Sequence, residues 1–291
     1  MDNKYLKDLE ENGYCVIKNI LNPNEIFQAK EMFYDWYDSV PNNDFMHSKL
    51  NPHNIFKFHQ VGHQEFAWYL RTRPQIIKTF ADLYNTDINN LVTSFDGCCY
   101  YKPDTKLSNG LWTHTDISPK LSKEMKCYQG FVSLTDNKDN SFQLYEGTNN
   151  IHEEYFRTRE MENDNKNWQK IDKDYLESID SKKKVLEVPA GSLVLWDSRT
   201  FHQNIIKNKD EERLVQYICM MPKDNKKNTK SMKEKRLKYF ETRRTTSHWC
   251  YPIKVNSLQG RTYGNNDLLI NYDLLEEPKL DLYMDTIKSL I

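Results

Sequence analysis

Eight short β-type segments follow one another between residues 91 and 222. They are rich in Val, Ile, Phe and Tyr, and turns containing Gly, Pro, Asn or Asp separate them. Short strands that succeed one another without crossover helices form antiparallel sheets, so this region predicts a sandwich or a jelly roll. The predicted strands are 91–95, 98–102, 127–135, 142–146, 184–188, 192–197, 201–207 and 213–221.

Helical sequence flanks this β region. Helical spacing occurs at 2–12, 22–40 and 74–84, with a short strand at 14–18. A charged insertion at 150–182 is predicted to be helix or loop, and a lid is one interpretation of it. The predicted fold class is therefore mainly β with flanking helices, in one domain. Its parts are a helical support at 1–90, a jelly-roll core at 91–222 and a basic extension at 223–291.

Composition excludes several classes of protein. The 41 basic and 42 acidic residues give a net charge of -1, which argues against general affinity for nucleic acid or membranes. The sequence has no apolar leader after Met1 and no run long enough to span a bilayer, so we predict a cytoplasmic protein. The six cysteines show no C-x-x-C pair, which indicates reduced, mostly buried thiols.

A histidine and a carboxylate two residues apart, His114 and Asp116, lie in a segment that is predicted to be extended. In an extended chain their side chains point to the same side of the backbone. His202, at the start of a later strand, would add a second imidazole. Two histidines and one carboxylate on one face leave coordination positions open, as in non-haem Fe(II) oxygenases. The pattern therefore predicts an iron site.

Two other histidine patterns compete with this one. His152 is followed by Glu153 and Glu154, which is also a histidine–acid pattern, and only its context can decide against it. His59 and His63 are four residues apart, the spacing of a zinc pair on a helix. Gly62 lies between them and no acid or cysteine completes the set, so loop histidines are the preferred interpretation.

Arg213 begins the strand that follows the polar loop 208–212. If the strands on either side of this loop are adjacent and antiparallel, Arg213 returns to the depth of Ile206 inside the core. A guanidinium there would bind the far carboxylate of 2-oxoglutarate, and Asn204 would add a hydrogen bond. The alternative is an ion pair between Arg213 and an acid of the loop.

Taken together, these segments resemble the phytanoyl-CoA dioxygenase family of Fe(II)/2-oxoglutarate oxygenases. The resemblance extends over nearly the whole chain, and the order and separation of the segments carry it. The matching segments are 13–18, 101–103, 114–116, 130–136, 191–202 and Arg213.

The resemblance implies a double-stranded β-helix (jelly-roll, cupin-like) core. It also implies Fe(II) as cofactor, 2-oxoglutarate and dioxygen as co-substrates, and hydroxylation of a small molecule with release of succinate and CO₂. The implied metal ligands are His114, Asp116 and His202, and the implied co-substrate contacts are Arg213, Asn204, Cys98 and Phe131.

Substrate contacts are predicted from the neighbours of the iron motif. Trp112, Tyr100 and Lys102 are candidates, with barrel packing and surface charge as the alternative. The variable loops 42–65, 104–110, 117–126 and 150–182 would form the pocket, and the aromatic and basic tail segment 243–249 is a candidate to close over it.

A basic run occupies residues 223–244. Such a run is typical of a helix exposed to solvent. A more specific interpretation is a positively charged edge of the pocket that attracts an anionic substrate. Nucleic acid is disfavoured because few aromatic residues are interleaved. Two rival functions stay open, namely a cupin-like isomerase or hydrolase that binds another divalent ion, and a non-catalytic relative. Arg213 argues against the first, and the intact ligand set argues against the second.

Overall fold

The computed structural model describes residues 3–105, 110–159 and 166–291. Nine α-helices lie within these residues. They are α1 (Asn3–Glu11), α2 (Pro23–Ser39), α3 (Glu65–Arg71), α4 (Pro74–Leu83), α5 (Pro119–Ser122), α6 (Thr148–Arg157), α7 (Lys173–Ser178), α8 (Lys230–Glu241) and α9 (Met284–Leu290).

The described residues also contain eight short 3₁₀ helices and thirteen strands. The strands are β1 (Tyr14–Ile17), β2 (Ile55–Phe56), β3 (Leu91–Thr93), β4 (Cys98–Tyr101), β5 (His114–Thr115), β6 (Tyr128–Ser133), β7 (Ser141–Tyr145), β8 (Gln169–Lys170), β9 (Lys183–Val185), β10 (Leu193–Asp197), β11 (His202–Ile205), β12 (Arg213–Ile218) and β13 (Met220–Pro222).

Two antiparallel sheets form the centre of the molecule. The larger has the strand order β1-β10-β6-β12-β4-β2, and the smaller has the order β8-β5-β11-β7-β9. A separate pair joins β13 to β3. The chain is thus a mixed helix and sheet protein with antiparallel sheets. Seven of the eight strands predicted between 91 and 222 are present with slightly different bounds, whereas the predicted strand 213–221 is divided into β12 and β13, which belong to different sheets.

The inner faces of the two sheets share one apolar cluster. Val215 of the larger sheet and Phe142 of the smaller sheet both belong to it, as do Phe131 and Trp196. Leu214, the neighbour of Val215, instead packs on the outer face with the helices. Because side chains alternate along a strand, β12 contributes to both layers of the core. The two sheets therefore pack face to face.

Helices α2 and α3 cover the outer face of the larger sheet. Asn22 and Glu25 form a reciprocal capping box that fixes the start of α2. Phe33 of α2 contacts Phe66 of α3 edge to face with ring centroids 5.2 Å apart, and it contacts Tyr100 of β4 at 4.8 Å. Tyr100 therefore packs in the helix-side core and does not face the inside of the sheets.

One predicted pairing was wrong. β11 and β12 do not form a hairpin, because β11 pairs with β5 and β7 in the smaller sheet while β12 pairs with β4 and β6 in the larger sheet. The loop 208–212 crosses from one sheet to the other. Arg213 still faces the interior, since both strands direct alternate side chains into the space between the sheets.

The other structural predictions have mixed outcomes. The six cysteines are free and buried, as predicted. Part of the basic run forms α8, whose Arg236 is fully buried and donates hydrogen bonds to Asn228 and to the carbonyl of Cys250. No helix in the described part of the chain is long and apolar enough to cross a membrane.

Candidate active site

His114 and His202 are cross-strand partners on β5 and β11. Asp116 follows β5 and brings its carboxylate between the two rings. The Nε2 atom of His114 lies 3.5 Å from Asp116 Oδ1, and Nε2 of His202 lies 3.2 Å from Oδ2. The three ligand atoms lie within 4.8 Å of one another, and no other such group of His, Cys, Asp or Glu occurs in the described residues. The structure thus brings together the three residues predicted to bind metal.

Backbone carbonyls set the orientation of both rings. Nδ1 of His114 lies 3.1 Å from the carbonyl of Trp112, and Nδ1 of His202 lies 2.8 Å from the carbonyl of Thr200. Because a carbonyl only accepts, each Nδ1 must carry the hydrogen and donate it. Each Nε2 then has a free lone pair directed at the centre, which is the tautomer that a metal ligand needs.

Asp116 is buried together with the two histidines. Burial would raise the pKa of its carboxyl, but the adjacent His114 and His202 hold the pKa well below its usual range. Burial and the nearby His202 lower the pKa of His114. The donor set is therefore one carboxylate with neutral imidazole, which suits a divalent transition metal.

Gln129 of β6 supports the carboxylate from behind. Its Nε2 donates to Asp116 Oδ2 at 2.9 Å and to Ser198 Oγ at 3.1 Å.

Since outer hydrogen bonds orient metal ligands, we expect Gln129→Leu to weaken metal binding roughly tenfold. Titration with Fe(II) or Co(II) under nitrogen measures this. Gln143→Leu is the matched control, because this buried glutamine lies on β7 away from the triad. Equal metal affinity in both variants would contradict the assigned role of Gln129.

Aromatic rings enclose the triad. The ring of His114 stacks on the indole of Trp112 at 4.9 Å and on that of Trp168 at 5.2 Å. Phe142 and Trp196 contact His202 at 5.2 Å and 5.5 Å between centroids. These contacts restrict ring rotation, so both imidazoles are held in place before a metal binds.

Arg213 is fully buried and has no acidic partner within ion-pairing distance in the described residues. Its Nη2 donates to Asn204 Oδ1 at 3.2 Å, its Nη1 lies 3.1 Å from Cys99 Sγ, and its Nε has no partner. The guanidinium also lies over the Phe131 ring, with the carbon 5.5 Å from the centroid. A buried charge without a counter-ion is costly, and an anionic ligand would remove that cost.

The acids of the loop before Arg213 are engaged elsewhere. Glu211 accepts hydrogen bonds from the backbone of Lys138 and Asp139, and Glu212 contacts Lys30 and Tyr34. The alternative ion pair at the end of a hairpin is therefore absent.

A cavity of about 280 Å³ opens over the triad. Asn204 and Tyr217, which are joined by a hydrogen bond of 2.9 Å, line its inner end beside Arg213. At the outer end lie Lys57, Asp96 and the tail segment. Arg213 is not among the lining residues, but Asn204 accepts a hydrogen bond from its Nη2 and so separates the guanidinium from the cavity by one side chain.

Cys98, which was predicted to line the co-substrate pocket, lies on the opposite face of β4. It packs in the helix-side cluster, and its neighbour Cys99 takes the place beside Arg213. The prediction thus assigned the pocket-facing side of β4 to Cys98, whereas the next residue, Cys99, occupies that side. Of the three candidate substrate contacts, Trp112 lines the cavity, whereas Lys102 pairs with Asp44 on the surface.

The pocket loops were predicted in part. Loop 42–65 contributes Lys57 and Ile55, and the insertion contributes Asn167 and Trp168. Within the described residues, loops 104–110 and 117–126 do not line the cavity; residues 106–109, and residues 160–165 of the insertion, lie outside the described part. The tail reaches the cavity as predicted, through Ser247, His248 and Trp249.

Some of the lining carried no signal in the sequence. Asp96, Lys254 and Asn256 were missed, because no motif surrounds them and only the folded chain brings them to the cavity. Burial raises the pKa of Asp96 to about 6, although the backbone amide of Gly97 and the charge of Arg71 oppose the shift.

The competing histidines have structural roles. His63 is fully buried and its Nε2 lies 3.1 Å from the carbonyl of Arg244. His152 on α6 has Nε2 3.0 Å from the carbonyl of Ile117. Neither belongs to a group of ligand atoms that could hold a metal within the residues described.

Comparison with known proteins gives one curated relative and several solved structures of the same fold. "Ava biosynthesis cluster protein O" of Aspergillus versicolor is 32% identical over 179 residues, which is 57% of this chain and 57% of the relative. The matched region thus spans little more than half of that protein.

Two solved structures illustrate the fold similarity. GlcNAc Inducible Gene 2 (GIG2, DUF1479) of Candida albicans superposes with a TM-score of 0.61 at 13% identity, over 76% of this chain and 64% of that one. The epimerase SnoN in complex with Fe³⁺, alpha ketoglutarate and nogalamycin RO superposes with a TM-score of 0.52 at 13% identity, over 75% and 82%.

The sequence profile described as "Phytanoyl-CoA dioxygenase (PhyH)" matches residues 9–204, which is more than half of the chain and includes all three residues of the triad. The family predicted from the sequence is confirmed. This chain belongs to the phytanoyl-CoA dioxygenase family.

Proposed function

We propose that the protein is an Fe(II)/2-oxoglutarate-dependent dioxygenase that hydroxylates a small molecule. One observation carries the proposal: the cavity over the buried triad is lined by Asn204, which accepts a hydrogen bond from Arg213, a buried arginine without an acidic partner in the described residues. The triad fits a divalent metal, and the arginine fits the far carboxylate of a keto diacid.

In this proposal His114, Asp116 and His202 hold the iron. Arg213 and Asn204 bind the far carboxylate of 2-oxoglutarate, and Phe131 and Cys99 form walls of the same pocket. Bound iron and 2-oxoglutarate supply the activation of dioxygen and the oxidation of a substrate C–H bond, with release of succinate and CO₂. The protein excludes water from the inner end and keeps each group oriented.

The architecture supports a jelly-roll core at 91–222, since two antiparallel sheets pack face to face there. We propose that the chain is one domain, with helical support at 1–90 and an extension at 223–291 that completes the cavity. Free, buried thiols are consistent with a reducing compartment such as the cytoplasm.

The substrate in this proposal is a small molecule that enters at the outer end of the cavity. The basic run does not line the cavity. Two other cations do, Lys57 and Lys254, and both are exposed. If the substrate is anionic, these lysines are the groups that would face its charge.

Turnover of the co-substrate tests the proposal. With Fe(II), ascorbate, oxygen and 2-oxoglutarate, we expect succinate to form above the rate of a protein-free iron control. Asp116→Ala serves as the protein control and should give only the background rate. Succinate at the background rate with the wild-type protein would contradict a 2-oxoglutarate oxygenase. Because SnoN is an epimerase, hydroxylation itself is tested by identifying the oxidised product.

A further inference from the structure

Residues 245–256, here called the cap, cross the outer end of the cavity as a short hairpin. The backbone of Thr246 donates to the carbonyl of Phe95 at 2.9 Å, and Phe95 donates back to the Thr246 hydroxyl at 3.0 Å. Thr246 pairs with Val255, and Ser247 donates to the carbonyl of Lys254 at 2.8 Å. The cap is therefore fixed to the β3–β4 junction, and it lies after the region that matches the family profile.

Two adjacent polar atoms of the cap are buried without a hydrogen-bond partner in the described residues. They are Ser247 Oγ and His248 Nε2, and both residues line the cavity. Buried polar groups of folded proteins are almost always paired, and an unpaired one is costly. Other unpartnered polar atoms occur in the described residues, but these two belong to consecutive residues that both line the cavity, where a bound ligand can supply the missing partner.

His248 lines the same cavity as the three residues of the triad. The group of ligand atoms within 4.8 Å of one another contains the triad and excludes His248. His248 is therefore a wall residue of the cavity and not one of the predicted metal ligands.

Three indoles also line the cavity, namely Trp112, Trp168 and Trp249. Trp112 already stacks on His53 and His114, whereas Trp168 is 40% exposed and presents ring surface to a ligand. Indole faces bind flat ring systems well because they bury large apolar area and favour stacked contacts. A polar pair beside such walls suits a cyclic molecule that carries an oxygen function.

We infer that Ser247 and His248 bind a hydroxyl or carbonyl oxygen of a flat, cyclic substrate and so select which of its carbons faces the metal. The imidazole and the hydroxyl together offer donors and acceptors to one oxygen atom. This inference rests on the proposed function and adds a substrate class and two substrate-binding residues to it. Both residues lie outside the part of the chain that matches the family.

A matched pair of probes tests the inference on the full chain loaded with Mn(II) and 2-oxoglutarate. The probes are 2-indanol and indane, which differ by one hydroxyl group. Paramagnetic relaxation of the probe protons by Mn(II) reports binding next to the metal, and its concentration dependence gives the dissociation constant. We expect wild-type protein to bind 2-indanol about fivefold more tightly than indane, which is the effect of one net hydrogen bond.

The variants make the test specific. His248→Ala and Ser247→Ala should each weaken 2-indanol binding about three- to fivefold and leave indane binding unchanged, whereas His248→Gln should restore part of the preference. The inference would be wrong if a variant changed the binding of both probes equally or of neither, or if the wild type relaxed neither probe. Each of these results would leave the proposed function untouched. Failure of the wild type to bind Mn(II) and 2-oxoglutarate would overturn the proposed function as well.

Discussion

Replacing Arg213 with Met is expected to raise the concentration of 2-oxoglutarate needed for half-saturation roughly 100-fold, because a buried charged contact is lost. The same change should leave the free energy of unfolding unchanged or higher, since it removes a buried charge that has no counter-ion among the residues that the structure describes. Loss of ligand affinity without loss of stability separates a ligand-binding arginine from a structural one.

A co-substrate analogue sharpens this prediction. 2-Oxopentanoate has the keto-acid end of 2-oxoglutarate but a methyl group in place of the far carboxylate. Wild-type protein should prefer 2-oxoglutarate strongly, and Arg213→Met should show little preference. Calorimetric titration of protein loaded with Mn(II) measures both constants.

Arg236→Met is the matched control for Arg213→Met. Arg236 is equally buried but bonds to Asn228 and the carbonyl of Cys250 and does not line the cavity, so its loss should leave 2-oxoglutarate affinity unchanged. If Arg213→Met keeps the preference for 2-oxoglutarate, another group binds the far carboxylate and the assignment of Arg213 is wrong.

Replacing His202 with Ala is expected to weaken Fe(II) binding by more than the roughly 10- to 100-fold that loss of an outer hydrogen-bond partner costs. The variant removes one of the three ligand atoms and leaves the imidazole of His114 and the carboxylate of Asp116. Competition with a coloured chelator under nitrogen measures the affinity.

His63→Ala is the control, because His63 is also buried but packs against Phe95 and Phe240 and bonds to the carbonyl of Arg244. It should retain the metal affinity of the wild type. Metal binding by His202→Ala at the wild-type affinity would show that the ion is held elsewhere.

The core strands and the triad could be predicted because their signals are local. Turn residues bound each strand, and the two-residue spacing of His114 and Asp116 places them on one face whatever the sheet around them. The position of His202 opposite His114 follows from strand register. Strand register depends on the whole sheet. The sequence therefore predicts which residues form the site more firmly than it predicts the distances between them.

Cys98 shows that the local sequence does not determine to which side of a strand a side chain points. Successive residues of a strand face opposite sides, so an error of one position moves a side chain from the cavity to the helix-side core. Cys98 and Cys99 are both apolar enough to face either the cavity or the helix-side core. The sequence therefore does not indicate which of them faces the cavity. The packing of Phe33 against Tyr100 fixes which side faces the helices.

The hairpin predicted around the loop 208–212 failed for a related reason. A short polar loop can join neighbours in one sheet or cross to the facing sheet, and the pattern of the strands is the same in both cases. The cap was beyond prediction in detail because long-range contacts, such as that of Thr246 with Phe95, bring it to the cavity.

Anaerobic addition of Fe(II) and 2-oxoglutarate to the metal-free protein tests most directly whether the triad and Arg213 form one cofactor site. We expect a visible charge-transfer band that needs both components and saturates when each is bound once per chain. The band should be absent in His202→Ala, and in Arg213→Met it should need roughly 100-fold more 2-oxoglutarate. Bound iron with no band at any 2-oxoglutarate concentration would contradict the proposed site.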